Sequence, residues 1–154
     1  MKIRLLQVGK PRDAPAVALH DRYVERIERF GVGYAVTWVP EVQPDGRFSD
    51  EHVREREARA LLEELDAKST AIALDRGGQS LTSEELSRRL ERWATPRATF
   101  VIGGPLGLHG GILDRADWRW SLSTLTFPHE LARVIVAEQL YRALTLLRGV
   151  PYHK

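Results

Sequence analysis

Ile102-Gly103-Gly104-Pro105-Leu106-Gly107-Leu108 and Ser121-Leu122-Ser123-Thr124-Leu125-Thr126-Phe127-Pro128-His129 decide how this chain folds. In the first stretch an apolar run ends at paired glycines. Glycine directly after a strand serves either a tight turn or the close approach of backbone to a ligand, and the residues alone leave both uses open. In the second, a short strand over residues 122–125 runs into Pro128, which opens a long helix. Two loops of this kind can build a ligand slot from main-chain groups, with no catalytic side chain.

Apolar runs and helical patterns alternate on either side of these loops. Residues 3–8 read as a first strand. A helix follows over 13–30, with Asp13 at its N-cap and Pro15 in its first turn. Leu19, Tyr23, Ile27 and Phe30 recur there at helical spacing, and Gly31 and Gly33 end it. Residues 34–39 form a β-branched and aromatic second strand closed by Pro40, and residues 41–48 a loop. Ser49 caps the next helix, in which Val53, Ala60, Leu61 and Leu65 face inward and Glu55 pairs with Arg59. Its many charges read as a solvated face. Residues 70–74 are a third strand, ended by Asp75-Arg76-Gly77-Gly78. Thr82 and Glu85 make a capping box ahead of Leu86, Leu90 and Trp93. A fourth strand over 98–102, a short helix over 111–118 and the fifth strand over 122–125 lead to a final helix over 129–147, stopped by Gly149 and Pro151.

This order predicts one α/β domain over residues 1–154, a mostly parallel sheet with helices on both faces. Ligands of such sheets bind outside the carboxyl ends of the strands, where Leu74, Gly103, Gly104 and the stretch up to Pro128 converge.

Composition removes several function classes. The 154 residues contain no cysteine, which excludes disulfide scaffolds, thiolate zinc sites and cysteine nucleophiles. His20, His52, His109, His129 and His153 lack metal-ligand spacing, so no metal site is expected. His20 and His52 read as helix-surface residues. There is no G-x-S-x-G elbow, Pro105 spoils a dinucleotide fingerprint, and no Gly-Lys-Ser/Thr follows to make a P-loop. No apolar run approaches the ~20 residues that span a bilayer, and residues 1–9 read as a strand rather than a signal peptide. The expectation is a cytoplasmic protein without a membrane partner. Net charge is +2, yet nineteen of the 23 basic residues are arginine. Arginine suits a phosphate-binding surface, and it also suits Glu–Arg pairs on helix faces.

The last helix carries Leu131, Val134, Ile135, Val136, Ala137, Leu140, Ala143, Leu144, Leu146 and Leu147 around nearly its whole circumference. A helix apolar on all sides is buried on all sides, which predicts a homodimer through this helix. Glu138 and Arg142, four apart among these residues, are either a structural ion pair or part of a substrate site. The tail Pro151-Tyr152-His153-Lys154 adds an aromatic ring, an imidazole and an ammonium. It reads either as a frayed end or as a stacking surface for an extruded base.

Ile102-Gly103-Gly104-Pro105, Gly107-Leu108, the stretch from Ser121 through His129, Val136-Ala137-Glu138-Gln139-Leu140-Tyr141-Arg142-Ala143 and Pro151-Tyr152-His153 together resemble the small SPOUT-class methyltransferases that methylate a pseudouridine of large-subunit ribosomal RNA. The likeness is specific over residues 102–153 and weaker before them, where Val8-Gly9 and Leu74-Asp75 share in it. Leu106 stands where the family often has Glu, so no role attaches to that position.

The resemblance implies an α/β fold with a C-terminal trefoil knot, an exception to the rule that chains avoid threading. It also implies S-adenosylmethionine held in the knot and an obligate homodimer whose active site joins both subunits. Cofactor contacts then fall on Leu74, Gly103, Gly104, Ser123, Thr124, Leu125, Thr126, Phe127 and Pro128. The acceptor is the position 3 nitrogen of the base, with Glu138 and His153 as candidates for its proton and Arg142 for a phosphate or uracil oxygen. With so little surface to single out one nucleotide, the assembled ribosome is expected to aid recognition. The competing readings are a knotted methyltransferase with a tRNA target and a non-catalytic ribosome-associated RNA-binding protein. A flavodoxin-like module is a third, but only one glycine follows the first strand.

Overall fold

Along residues 3–8 apolar side chains point both ways, as a strand covered on both faces requires. Ile3 and Leu5 enter one hydrophobic cluster, and Leu6 and Val8 the other. The computed structural model describes residues 1–43 and 46–153. Pro44 and Asp45 of the expected loop, and Lys154 of the tail, lie outside the described residues.

Strands β1 (Lys2–Val8), β2 (Gly33–Val39), β3 (Thr70–Ser80), β4 (Ala98–Ile102) and β5 (Trp118–Ser121) form one sheet in the order β2-β1-β4-β3-β5. Every neighbouring pair is parallel. Helices α1 (Ala14–Glu28), α3 (Ser83–Trp93) and α5 (His129–Leu147) cover one face, where Ile27, Leu86, Leu90 and Leu140 meet β1 and β4. Helices α2 (Asp50–Glu64) and α4 (Gly110–Arg115) cover the other with Ala58, Leu61 and Ile112. The expected α/β architecture is therefore the observed one.

Caps account for most helix boundaries. Thr82 Oγ1 accepts from Glu85 N, and Glu85 reaches back to Thr82 N, so the capping box forms. Ser49 accepts from His52 N at the start of α2. Asp13 occupies the N-cap of α1 but its side chain makes no cap bond. Glu130 Oε1, in the first turn of α5, instead takes the N–H groups of Arg12 (2.7 Å) and Asp13 (3.4 Å). The start of α5 is thereby tied to the loop after β1.

Three expected element boundaries need correction. The third strand does not stop at Leu74; it runs on to Ser80 through an irregularity between Leu74 and Gln79. A Cβ on Gly78 would stand 2.7 Å from the backbone carbonyl of Arg119, so this glycine admits β5 rather than ending β3. The fifth strand is Trp118–Ser121, not residues 122–125, and the short helix closes at Arg115. Trp120 turns inward against Phe100, ring centroids 6.0 Å apart, which anchors that strand and leaves 122–128 free as a loop.

His20, read as a surface residue, is 1% exposed. Its Nε2 lies 3.3 Å from Tyr34 Oη and its Nδ1 3.1 Å from Asp21 Oδ1, and burial pushes the imidazole below its ordinary pKa.

Helix α5 sits between α1 and α3 over the sheet, which buries Val134, Val136, Ala137, Leu140, Ala143 and Leu144 within one chain. Most of its apolar circumference is thus satisfied without a partner. The large apolar residue left exposed on it is Leu131, at 47%.

Candidate active site

Outside the carboxyl end of β4, beside the irregular middle of β3, lies a cleft of about 870 Å³. Its walls are the loop after β4 (residues 103–108), the loop from β5 to α5 (residues 122–128), and Leu74, Asp75 and Arg76 of β3. Of the nine residues expected to contact a cofactor, eight line this cleft; Thr124 does not. The size suits a small organic ligand, for which pockets run roughly 300–1,000 Å³.

The first loop is shaped by its glycines. A Cβ on Gly103 would stand 2.8 Å from the Gly107 carbonyl carbon and 3.0 Å from Leu108 N, so no side chain fits there. Gly107 has φ +79°, and its N–H closes the turn onto Gly104 O at 2.9 Å. The second loop is held at its root, where Ser121 Oγ donates 3.0 Å to Ser123 O and bonds Arg76 O at 3.1 Å. Ser123 Oγ accepts from Leu125 N, and Arg76 reaches across to Thr126 Oγ1 at 3.2 Å. Leu125 is 69% exposed at the rim. The cleft wall therefore combines main-chain groups with apolar side chains such as Leu74, Leu122 and Phe127. That donor set fits a flat heterocycle carrying polar edges.

The residues expected to act on a substrate are not in this cleft. His129 opens α5 at its edge. Glu138 and Arg142 are nine and thirteen residues further on, about 13 and 20 Å along the axis at 1.5 Å per residue. There the Glu138 carboxylate is fully engaged. Oε1 accepts from Arg142 Nε (3.0 Å), Arg142 Nη2 (2.5 Å) and Tyr152 Oη (3.2 Å), and Oε2 accepts from Gln139 Nε2 (2.6 Å). The Arg142 guanidinium also lies 4.7 Å from the Tyr152 ring centroid. The Glu138 carboxylate holds the guanidinium charged, and burial pushes the Tyr152 hydroxyl up. His153 packs against α3, its Nε2 3.0 Å from Glu84 Oε1, while its buried Nδ1 has no partner. One chain thus brings the expected cofactor residues together and sets the expected substrate residues apart from them.

Several residues at the cleft carried no expectation. Arg76 and His129 line it, as does Arg54 from α2. Glu57, also on α2, is 3% exposed beneath Gly104. The stripe Val53, Glu57, Leu61 has the four-residue spacing of a buried helix face, a signal that the surrounding charges obscured. Among the described residues no group of three His, Asp or Glu side chains could hold a metal ion. Among the described residues no helix is long and apolar enough to cross a membrane.

With this geometry in place, comparisons with known proteins agree. Residues 1–153 match a family model described as "Predicted SPOUT methyltransferase". A protein of Gloeobacter violaceus named ribosomal RNA large subunit methyltransferase H is 42% identical over 99% of both chains. An Anaeromyxobacter protein of the same name is 40% identical over the full length of both. Among solved structures, a probable methyltransferase from Bordetella pertussis superposes with TM-score 0.55, covering 92% of this chain and 95% of that one at 20% identity. That last likeness speaks for the fold alone.

Proposed function

The chain belongs to the SPOUT methyltransferase family, and from that premise we propose that it transfers a methyl group from S-adenosylmethionine to the position 3 nitrogen of a pseudouridine in large-subunit ribosomal RNA. What supports this most is the cleft itself, a cradle of glycine backbone and short loops that combines main-chain groups with apolar side chains. A sulfonium donor brings an already activated methyl group, so the protein's task is alignment rather than covalent help.

The residues present fit that donor. Leu74 and Phe127 offer apolar surface, and the main chain at Gly103, Gly104 and 123–128 offers hydrogen-bonding edges to an adenine, though Thr124 itself does not line the cleft. The acceptor nitrogen must lose a proton. Glu138 is spent on Arg142, Gln139 and Tyr152, so its part is to hold Arg142 in place for a phosphate or uracil oxygen. His153 is then the remaining candidate to take that proton.

Because Arg142 and His153 stand away from the cleft of their own chain, a second subunit supplies them. The protein works as a homodimer joined through α5, with exposed Leu131 at the contact. Residues 1–154 form one α/β-knot domain, the loop from β5 to α5 threading beside 103–108. The substrate is the assembled ribosome, reached in the cytoplasm.

Incubation with labelled S-adenosylmethionine and ribosomes lacking the modification tests this. Label in large-subunit RNA, mapped by mass to a pseudouridine, is the expected result. Label in tRNA instead, or in no RNA at all, would refute it.

A further inference from the structure

Glu57 is a carboxylate in an unusual place. Glu51, Glu63 and Glu64 of the same helix are exposed, whereas Glu57 is buried between α2 and the top of the sheet. Its Oε1 accepts the Val42 N–H at 3.0 Å. A Cβ on Gly104 would stand 3.1 Å from its Oε2 and 3.4 Å from its Oε1. The carboxylate therefore packs directly on a glycine that also lines the cleft. Glu41 and His129 converge nearby, with Glu41 Oε2 3.5 Å and His129 Nε2 3.8 Å from the point a Cβ on Gly9 would occupy.

This placement works against the apo fold. Burial pushes the Glu57 carboxyl up from its ordinary range, the Val42 hydrogen bond and His129 pull it down, and Glu41 adds to the upward push. A folded-state pKa raised above the unfolded one means that stability falls as pH rises through the folded value, so the ionised form is the costly one. A positive charge placed across Gly104 would offset that cost.

We infer that Glu57 positions charge for the cofactor: its carboxylate, one glycine away from the slot, favours the sulfonium donor over the neutral product. The inference rests on the function proposed above. In the transfer the sulfur–methyl bond breaks as the nitrogen–methyl bond forms. The sulfur keeps the electron pair and becomes a neutral thioether, and the nitrogen's proton leaves to an acceptor. The carboxylate thus faces a cation before the step and none after it, which weakens product binding relative to donor binding. At an effective protein dielectric of about 20, opposite charges roughly 12 Å apart already correspond to about tenfold in affinity.

Calorimetry on the full-length protein with S-adenosylmethionine and with S-adenosylhomocysteine tests it. Glu57→Gln keeps an oxygen for the Val42 N–H and nearly the same volume. It is expected to weaken the donor about tenfold and the product by less than about twofold, with the apo melting temperature unchanged or raised. Glu57→Asp, which keeps the charge, is expected to retain most of the wild-type ratio and covers the case in which the amide variant does not fold. Equal weakening of both ligands, or an unchanged ratio, in Glu57→Gln would overturn the inference while leaving the proposed function standing. So would loss of the ratio in a folded Glu57→Asp. Wild-type protein that binds neither compound would overturn both.

Discussion

Around the cleft, residues 103–108 and 122–128 present main-chain groups, glycines and apolar side chains. Further along α5, Glu138, Arg142, Gln139 and Tyr152 bond to one another in a tight polar knot of side chains. The first region depends on backbone shape and the absence of atoms at Gly103 and Gly104. The second depends on functional groups held in register. The difference teaches that the two regions should fail differently: the cleft when volume is added, the polar cluster when a group is removed. It also separates binding from transfer, because only the cleft lies where a donor fits.

The sharpest way to break the comparison is to add volume. Gly103→Val forces side-chain atoms into the Gly107 carbonyl, which lies 2.8 Å from the Cβ position. Overpacking of this kind costs roughly 1–3 kcal/mol or more, so calorimetry should show donor affinity down by about a hundredfold. Gly110→Ala, where nothing lies within 4 Å, should leave it unchanged. Equal effects from the two would mean that the loop is not the binding wall.

Removing a group from the other region should leave binding alone. Arg142→Ala is expected to keep donor affinity while lowering transfer to ribosomes about a hundredfold, a loss of roughly 3 kcal/mol from an unmade charged contact. A parallel drop in donor affinity would blur the distinction drawn above.

Glu138→Ala should act on stability as well. Four donor groups of three residues lose their carboxylate there, at roughly 1–3 kcal/mol, a loss that thermal unfolding would reveal. Stability equal to wild type would show that the cluster is idle in the folded chain.

The smallest effect concerns the buried seam behind α5. Because burial lowers the His20 pKa below the ordinary imidazole value of about 6.5, the unfolded chain binds the proton more readily. Stability should therefore be full above that value and decline as pH falls through it, and His20→Gln should flatten this part of the profile. A wild-type melting temperature independent of pH between neutrality and mild acid would contradict the assignment.

Much of this was legible in the residues. Residues 98–102 and the helix from His129 to Leu147 were bounded as observed, because Pro128, Gly149 and an unbroken apolar run leave little choice. The capping box at Thr82 located α3 for the same local reason. Errors arose where a distant partner decides. Gly77-Gly78 has the composition of a turn, yet it continues β3 because Arg119 of β5 comes too close for a side chain. Trp118-Arg119-Trp120-Ser121 alternates as a strand should, but Leu122 to Leu125 offered a more apolar rival, and only the Phe100 contact settles the choice. For the site, glycines and prolines at strand ends located the cleft walls. Glu57 and His20 were hidden, since polar residues carry no signal of burial until their neighbours are known.

A composite site across two subunits can be tested by pairing two defects. Gly103→Val and Arg142→Ala, each strongly impaired alone as a homodimer, are co-expressed with different tags and the mixed dimer is assayed on ribosomes. The account predicts recovery, since each mixed dimer keeps one intact cleft facing one intact Arg142; random assortment would restore about a quarter of wild-type activity. A purified mixed dimer as inactive as its parents would contradict it.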